Sequence, residues 1–282
     1  MINGSTVLAG VIGWPIKYSQ SPRLHNKWLS VTGINGVYIP LNIHPSNLKE
    51  SLKVLPKIGF SGVNVTLPHK ERVLNYLDII DPLAKRIGAV NTIRFGKNSE
   101  IIGTNTDGFG FLQNLFQYAP TWNTPKSEVA LLGAGGASRA ILTSLVDEKV
   151  SQIRLINRTI SRAERLANDV GGPIEVFSWK NIRKTIEGCD LLINATSLGM
   201  KGQPDFAFPM DSLAKRAVVT DIVYTPLVTP FLKEAQKFGF KTIDGLGMLL
   251  HQGRPGFNLW FGKTAPLVDK ELRTYMLEAL EG

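Results

Sequence analysis

Short apolar runs alternate with amphipathic stretches along the chain. The apolar runs predict strands over 7–12, 36–41 and 62–66. Helical periodicity predicts helices over 22–31 and 48–57, and a further helix after Pro68. Ser21 stands at the N-cap position of the first helix, with Pro22 in its first turn. Two short strands over 90–95 and 100–104 face each other across 96–98. A helix runs from Asp107 to Tyr118, and 119–127, with Pro120 and Pro125, reads as a linker or surface loop.

A second alternating series follows. It predicts strands over 129–132, 153–156, 190–194, 217–222 and 241–243, with helices over 137–146 and 162–170. This is the βαβ order of a doubly wound nucleotide-binding domain. The first series also alternates strand and helix, so both halves are α/β, with mostly parallel sheets covered on two faces. An amphipathic helix over 267–280 closes the pattern.

Composition narrows the reading. The chain has 282 residues and 43% hydrophobic residues, a globular balance. Its apolar runs are too short to span a bilayer, and no basic segment followed by a long apolar stretch suggests a secretory signal. A single cysteine, Cys189, excludes an internal disulfide and fits a cytoplasmic setting. The net charge of +9 comes from 32 Lys and Arg against 23 Asp and Glu, but the basic residues are scattered. They read as a solvated basic surface that favours small anions, not as a nucleic-acid patch. The four histidines, His25, His44, His69 and His251, lack paired ligand spacing, so no metal is expected. No GxSxG elbow is present for nucleophilic hydrolysis.

The strand at 129–132 leads directly into Gly133-Ala134-Gly135-Gly136-Ala137-Ser138. Glycines there allow a tight turn and close approach of backbone N–H groups to a pyrophosphate, at the positive end of the next helix. The last fingerprint position carries Ser138 instead of Gly or Ala. The next strand ends in Asn157-Arg158-Thr159, with Arg162 one turn on. An acidic residue at that place would bond a ribose 2′-OH, whereas guanidinium groups bracket a 2′-phosphate. The pattern therefore selects NADP over NAD.

Polar side chains cluster in the first half. Ser19 and Ser21 lie in the run 13–26, and Asn64, Thr66 and Lys70 in NVTLPHK at 64–70. Asn91 lies in GAVNT at 88–92, and Asn105 and Asp107 in the NTD run at 105–107. Two hydroxyls near a helix start suit a carboxylate. Lys70 suits an oxygen that gains negative charge, with Asp107 able to hold it in place. His69 reads as structural or peripheral and Cys189 as buried and inert.

These motifs, in this order, resemble the shikimate dehydrogenase family. The resemblance includes SxSP..HN at 19–26, NATSLGM at 194–200, DIVYTPLVTPFL at 221–232 and GLGMLLHQ at 245–252. It implies an N-terminal α/β substrate and catalytic domain over 1–106, and a Rossmann-like NADP-binding domain over 107–246. A cleft would separate them, and the C-terminal helices of 247–282 would pack back on the first. It implies reversible NADPH-dependent reduction of 3-dehydroshikimate to shikimate in aromatic amino-acid biosynthesis. Lys70 and Asp107 would be the catalytic pair. Ser19, Ser21, Asn64, Thr66, Asn91, Tyr224 and Gln252 would bind the substrate with them. Gly133, Ala134, Gly135, Gly136, Ala137, Asn157, Arg158, Thr159 and Arg162 would hold the cofactor, with Thr196, Ile222 and Gly245 nearer its nicotinamide half. The partners implied are small molecules alone, without nucleic acid or membrane, on a monomer or a homodimer. Tyr18 stands where the family often has histidine, and Pro255, in Gly253-Arg254-Pro255-Gly256, should bend or restart a helix. A quinate/shikimate dehydrogenase accepting NAD and a non-catalytic nucleotide-binding regulator are the alternatives; Arg158 opposes the first and the intact Lys70 and Asp107 the second.

Overall fold

In a computed structural model of the chain, residues 2–122, 124–200 and 208–281 are described. They form two compact units, Met1–Asp107 with Leu249–Met276, and Gly108–Met248 with Leu277–Gly282.

The first unit begins β1 (Val7–Gly13), α1 (Ser21–Thr32), β2 (Gly36–Asn42), α2 (Leu48–Val54) and β3 (Phe60–Val65). It continues β4 (Ile79–Ile80), α3 (Pro82–Ile87), β5 (Thr92–Phe95) and β6 (Ile101–Thr104). Its sheet has the order β2-β1-β3-β5-β6-β4. β1 lies parallel to β2 and β3, but β5 runs antiparallel to both β3 and β6. The sheet is thus mixed. The 90–95 and 100–104 segments form a hairpin that extends the parallel part. On one face Ile12, Val63, Val65 and Ile93 pack with Leu48 and Leu52 of α2.

Three local expectations change. Gln20, not Ser21, is the N-cap of α1, and Ser21 is its first helical residue. The segment after Pro68 makes only a short 3-10 turn at Arg72–Tyr76. The helix expected over 48–57 becomes α2 followed by a 3-10 turn at Leu55–Ile58, where Pro56 lacks the N–H a continuing helix needs.

The second unit contains α4 (Asp107–Tyr118) beyond its first residue, β7 (Glu128–Leu132), α5 (Gly136–Asp147), β8 (Gln152–Asn157), α6 (Ile160–Val170) and β9 (Ile174–Ser178). Then come α7 (Ile182–Thr185), β10 (Leu191–Asn194), β11 (Val218–Asp221), α8 (Pro230–Lys237) and β12 (Lys241–Ile243). The linker reading over 119–127 includes Asn123, which lies outside the described residues. The sheet order is β12-β11-β10-β7-β8-β9, parallel throughout. Alternate residues of β7 sort to opposite faces. Val129 and Leu131 pack with Ile141 and Leu145 of α5 and Leu166 of α6. Ala130 and Leu132 pack with Phe231, Leu232 and Ala235 of α8. Such apolar runs are what a parallel strand covered on both faces requires.

The chain ends with α9 (Leu246–Phe261) and α10 (Lys270–Glu281). α9 runs on through Pro255, so the expected restart does not occur. No helix among the described residues is long and apolar enough to cross a membrane.

Candidate active site

In the first unit, the strand ends bring polar side chains together. Asn64 is at the end of β3, Asn91 and Thr92 lead into β5, and Thr104 of β6 is followed by Asn105, Thr106 and Asp107. Lys70 Nζ lies 2.6 Å from Asp107 Oδ2. The Asp107 side chain is 7% exposed and that of Lys70 20%, so the ammonium keeps an open side while the carboxylate is shielded. Asp107 is fixed from two further directions. Its other oxygen accepts from Asn91 Nδ2 at 2.8 Å, and its backbone N–H donates to Asn105 Oδ1 at 3.0 Å. Asn105 itself donates to the Ala89 carbonyl at 2.9 Å.

Asn91 is the hub. Its Nδ2 also lies 3.1 Å from Gln252 Oε1, and its Oδ1 accepts from the Thr106 N–H at 2.9 Å. Thr106 Oγ1 donates to the Gln252 carbonyl at 2.9 Å, tying α9 to the start of α4. Asn64 Nδ2 donates to the Asn91 carbonyl at 3.0 Å, and its Oδ1 accepts from the Tyr38 hydroxyl at 2.6 Å. That hydroxyl also hydrogen-bonds the Ser21 side chain. Burial pushes the phenol of Tyr38 well above its ordinary pKa, and the Ser21 bond opposes this. Ser19 Oγ accepts from the Ser21 N–H at 3.4 Å. Thr66 is half-buried at the turn after β3, with its methyl beside Gly13.

Lys70, Asp107, Asn64, Asn91 and Gln252 therefore share one network, and Ser21 joins it through Tyr38. Tyr38, Thr92 and Thr106 are the members that the sequence pattern does not single out. Tyr38 occupies an apolar strand position, where an aromatic ring reads as core. Its ring does stack on His25 at 4.1 Å between centroids. His69 is buried and its Nε2 lies 2.8 Å from the Ile43 carbonyl, a structural placement. Among the described residues no group of three or more side chains could hold a metal.

The second unit carries the remaining residues. Gly133 follows β7 with φ +101°, a conformation that disfavours any side chain, and its N–H donates to the Ile156 carbonyl at 2.8 Å. A Cβ at Gly135 would meet nothing within 4 Å, so the loop opens onto free space at the N-terminus of α5. The first-turn N–H groups of a helix lack intrahelical partners and point outward there. Ser138 Oγ accepts from the Gly135 N–H at 3.2 Å, so the departure from the glycine fingerprint closes the turn with a hydrogen bond. Asn157 Nδ2 donates to the Thr159 carbonyl at 2.8 Å, shaping the loop after β8. Arg158, Thr159 and Arg162 are exposed beyond it. Open room, free helical N–H donors and two guanidinium groups fit a dinucleotide with an extra phosphate. Thr196 and Ile222 follow the neighbouring ends of β10 and β11, and Gly245 precedes α9. Tyr224 is half-buried, and burial raises its phenol.

The chain matches the models for the shikimate dehydrogenase substrate binding domain over residues 11–93, shikimate / quinate 5-dehydrogenase over 117–246, and the shikimate 5′-dehydrogenase C-terminal domain over 245–281. It is 48% identical over 276 residues to a shikimate dehydrogenase (NADP(+)) of Paramagnetospirillum magneticum, covering 98% of this chain and 100% of that one. The solved shikimate 5-dehydrogenase of Thermus thermophilus, in complex with NADP(H) and shikimate, superposes with TM-score 0.84 at 34% identity, covering 98% and 99% of the two chains. A quinate dehydrogenase of Corynebacterium glutamicum in complex with NAD gives TM-score 0.89 at 30% identity, over 97% and 99%.

Proposed function

The chain belongs to the shikimate dehydrogenase family, and within that frame we propose that Lys70 and Asp107 carry the proton transfer. The protein is an NADP-dependent oxidoreductase acting on a CH–OH group, and its reaction is the reversible reduction of 3-dehydroshikimate to shikimate. The observation that carries the assignment of the pair is the 2.6 Å contact between Lys70 Nζ and a shielded Asp107 carboxylate.

NADPH, when bound, supplies the hydride. As the ketone carbon receives it, the carbonyl oxygen gains charge, and the Lys70 ammonium stabilises that oxygen and gives it a proton. The O–H bond forms as an N–H bond of Lys70 breaks, leaving a neutral amine beside Asp107. In the oxidation direction the amine takes the hydroxyl proton back. Asp107, held by Asn91 and Asn105, fixes where Nζ stands. Ser19, Ser21, Asn64, Thr66, Asn91, Tyr224 and Gln252 bind the carboxylate and hydroxyls of the substrate.

On the cofactor side, residues 133–137 receive the pyrophosphate. Asn157, Arg158, Thr159 and Arg162 receive the adenosine end with its 2′-phosphate, and Thr196, Ile222 and Gly245 line the nicotinamide half. The absence of an acidic residue at 157–159 supports NADP over NAD. The protein works in the cytoplasm, as its buried reduced cysteine suits, and as a monomer or homodimer.

Steady-state assays of shikimate and quinate, each with NADP and NAD, test the reading. The highest kcat/KM is expected for shikimate with NADP. A preference for quinate with NAD would move the protein to the neighbouring activity, and no turnover with any pair would overturn the enzymatic reading.

A further inference from the structure

The ends of β10 and β11 carry a second polar network that the proton transfer does not use. Asn194 and Asp221 are register partners on these two strands. Asp221 is fully buried, and its carboxylate accepts from three donors. Oδ1 takes Asn194 Nδ2 at 3.0 Å and the Val223 N–H at 2.9 Å. Oδ2 takes the Thr229 hydroxyl at 2.7 Å. Thr229 is in turn the N-cap of α8, accepting from the Leu232 N–H at 3.3 Å.

The network sets the orientation of Asn194. A carboxylate only accepts, so the amide nitrogen of Asn194 faces Asp221 and its oxygen points away. That oxygen accepts from Thr196 twice, from Oγ1 at 2.7 Å and from the N–H at 3.1 Å. The Asn194 carbonyl also accepts from the Ile222 N–H at 3.0 Å. One carboxylate thereby fixes both Thr196 and the segment 221–223.

Those segments abut two glycines of the cofactor side. A Cβ at Gly133 would lie 2.9 Å from Thr196 Cγ2. A Cβ at Gly245 would run into the Ile222 carbonyl and lie 2.8 Å from that of Val223. The segments that Asp221 orders thus lie in close contact with Gly133 on one side and Gly245 on the other.

We propose that Asp221 is a positioning residue for NADPH, which acts through Asn194 and Thr229 to fix Thr196 and Ile222 where they receive the nicotinamide half. The inference rests on the placement of Thr196 and Ile222 in the reading above. Burial of a carboxylate without a cation disfavours the charged form, and the Asp221 carboxyl is pushed up to about 6. Apolar packing would avoid that penalty but could not take three donors.

The test compares Asp221→Ala with Asp221→Asn, and Thr229→Val with Thr229→Ser. NADPH and shikimate affinities are measured by titration calorimetry, with steady-state KM values and thermal unfolding alongside. Asn at 221 can present its oxygen to Asn194 and Val223 and its nitrogen to a rotated Thr229 hydroxyl, so it preserves the connections. Asp221→Ala and Thr229→Val should weaken NADPH binding by roughly ten- to a hundredfold. Asp221→Asn and Thr229→Ser should stay within about threefold, and shikimate affinity should change less than about twofold throughout.

If Asp221→Ala does not fold, the Thr229 pair still decides the matter, because Val matches Thr in shape and lacks only the hydroxyl. Folded variants with wild-type affinity for NADPH would overturn the proposal, as would parallel losses for NADPH and shikimate. Failure of the wild-type protein to bind NADPH would instead defeat the cofactor reading on which it rests.

Discussion

Replacing Lys70 by alanine isolates the proton-transfer step. The side chain lies 2.6 Å from Asp107 and is 20% exposed, so its ammonium works in a partly shielded place. At an effective dielectric of about 20, an ammonium about 3 Å from an oxygen carrying about half a negative charge contributes about 3 kcal/mol. That alone is roughly a hundredfold in rate. The same ammonium is the proton donor, so this contribution falls within the about 10²–10⁴ that general acid catalysis spans. Turnover of Lys70→Ala should therefore fall by about two to four orders of magnitude. Shikimate KM should change much less, because Ser19, Ser21, Asn64, Thr66, Asn91 and Gln252 remain. Asp107 still accepts from Asn91 and its own N–H still donates to Asn105, so the site should hold its shape. Initial rates of shikimate oxidation at saturating NADP, with a melting curve as the folding control, give the numbers. Adding a small primary amine should restore part of the lost rate. Near-normal turnover in a folded variant, or a large rise in KM with unchanged kcat, would refute the assigned role.

Arg158→Ala should raise KM for NADPH by roughly ten- to a hundredfold and leave that for NADH within about twofold, since only the former carries the 2′-phosphate. Equal effects in the two kinetic series would remove the phosphate argument. His25 is fully buried with both ring nitrogens unpartnered among the described residues, and burial lowers its pKa to about 3. The unfolded chain thus binds a proton that the folded chain refuses. The stability held above about pH 6.5 is lost progressively as the pH falls toward 3, by about 2 kcal/mol at about pH 5. Urea unfolding at about pH 8 and pH 5 should show this loss in the wild type and less of it in His25→Phe; an identical pH response in both would disprove it. The Cys189 thiol is fully buried and pushed up to about 11, so a thiol reagent at neutral pH should modify it only on unfolding. Rapid labelling of the folded protein, followed by mass spectrometry, would contradict that.

What the sequence made legible follows from where side chains are buried. Strands β7, β10 and β11 are apolar on both faces over their buried runs, and that run is itself the signal. β9 lies at the sheet edge with mostly half-buried residues, and its pattern is too weak to stand out. The Lys70 and Asp107 pairing could be inferred from residue type. Asn91 to Gln252, separated by 161 positions, could be placed together only through resemblance. Tyr38 and Asp221 escaped notice for opposite reasons. One is an aromatic in an apolar strand, and the other is a carboxylate at the end of a strand, where exposure is the ordinary expectation.

Pro255 shows how tertiary packing overrides a local rule. A proline inside a helix costs about 3 kcal/mol through its missing N–H and its clash with the preceding turn. The expected break does not occur because the following turn is buried. Phe257 is fully buried and Trp260 is 4% exposed, and each contributes roughly 1.5–3 kcal/mol on burial. The glycines on either side of Pro255 make this packing feasible. A Cβ at Gly253 would lie 3.1 Å from Leu24 and 3.3 Å from His25 and Trp28, and one at Gly256 would lie 2.8 Å from the ring of Trp260. Trp260 Nε1 then donates to the Ile93 carbonyl at 2.8 Å. Upstream, Thr106 holds the Gln252 carbonyl and Asn91 meets its side chain. The helix is thus fixed on both sides of the proline, and Gln252 is held in the network by contacts that a break at Pro255 would have loosened.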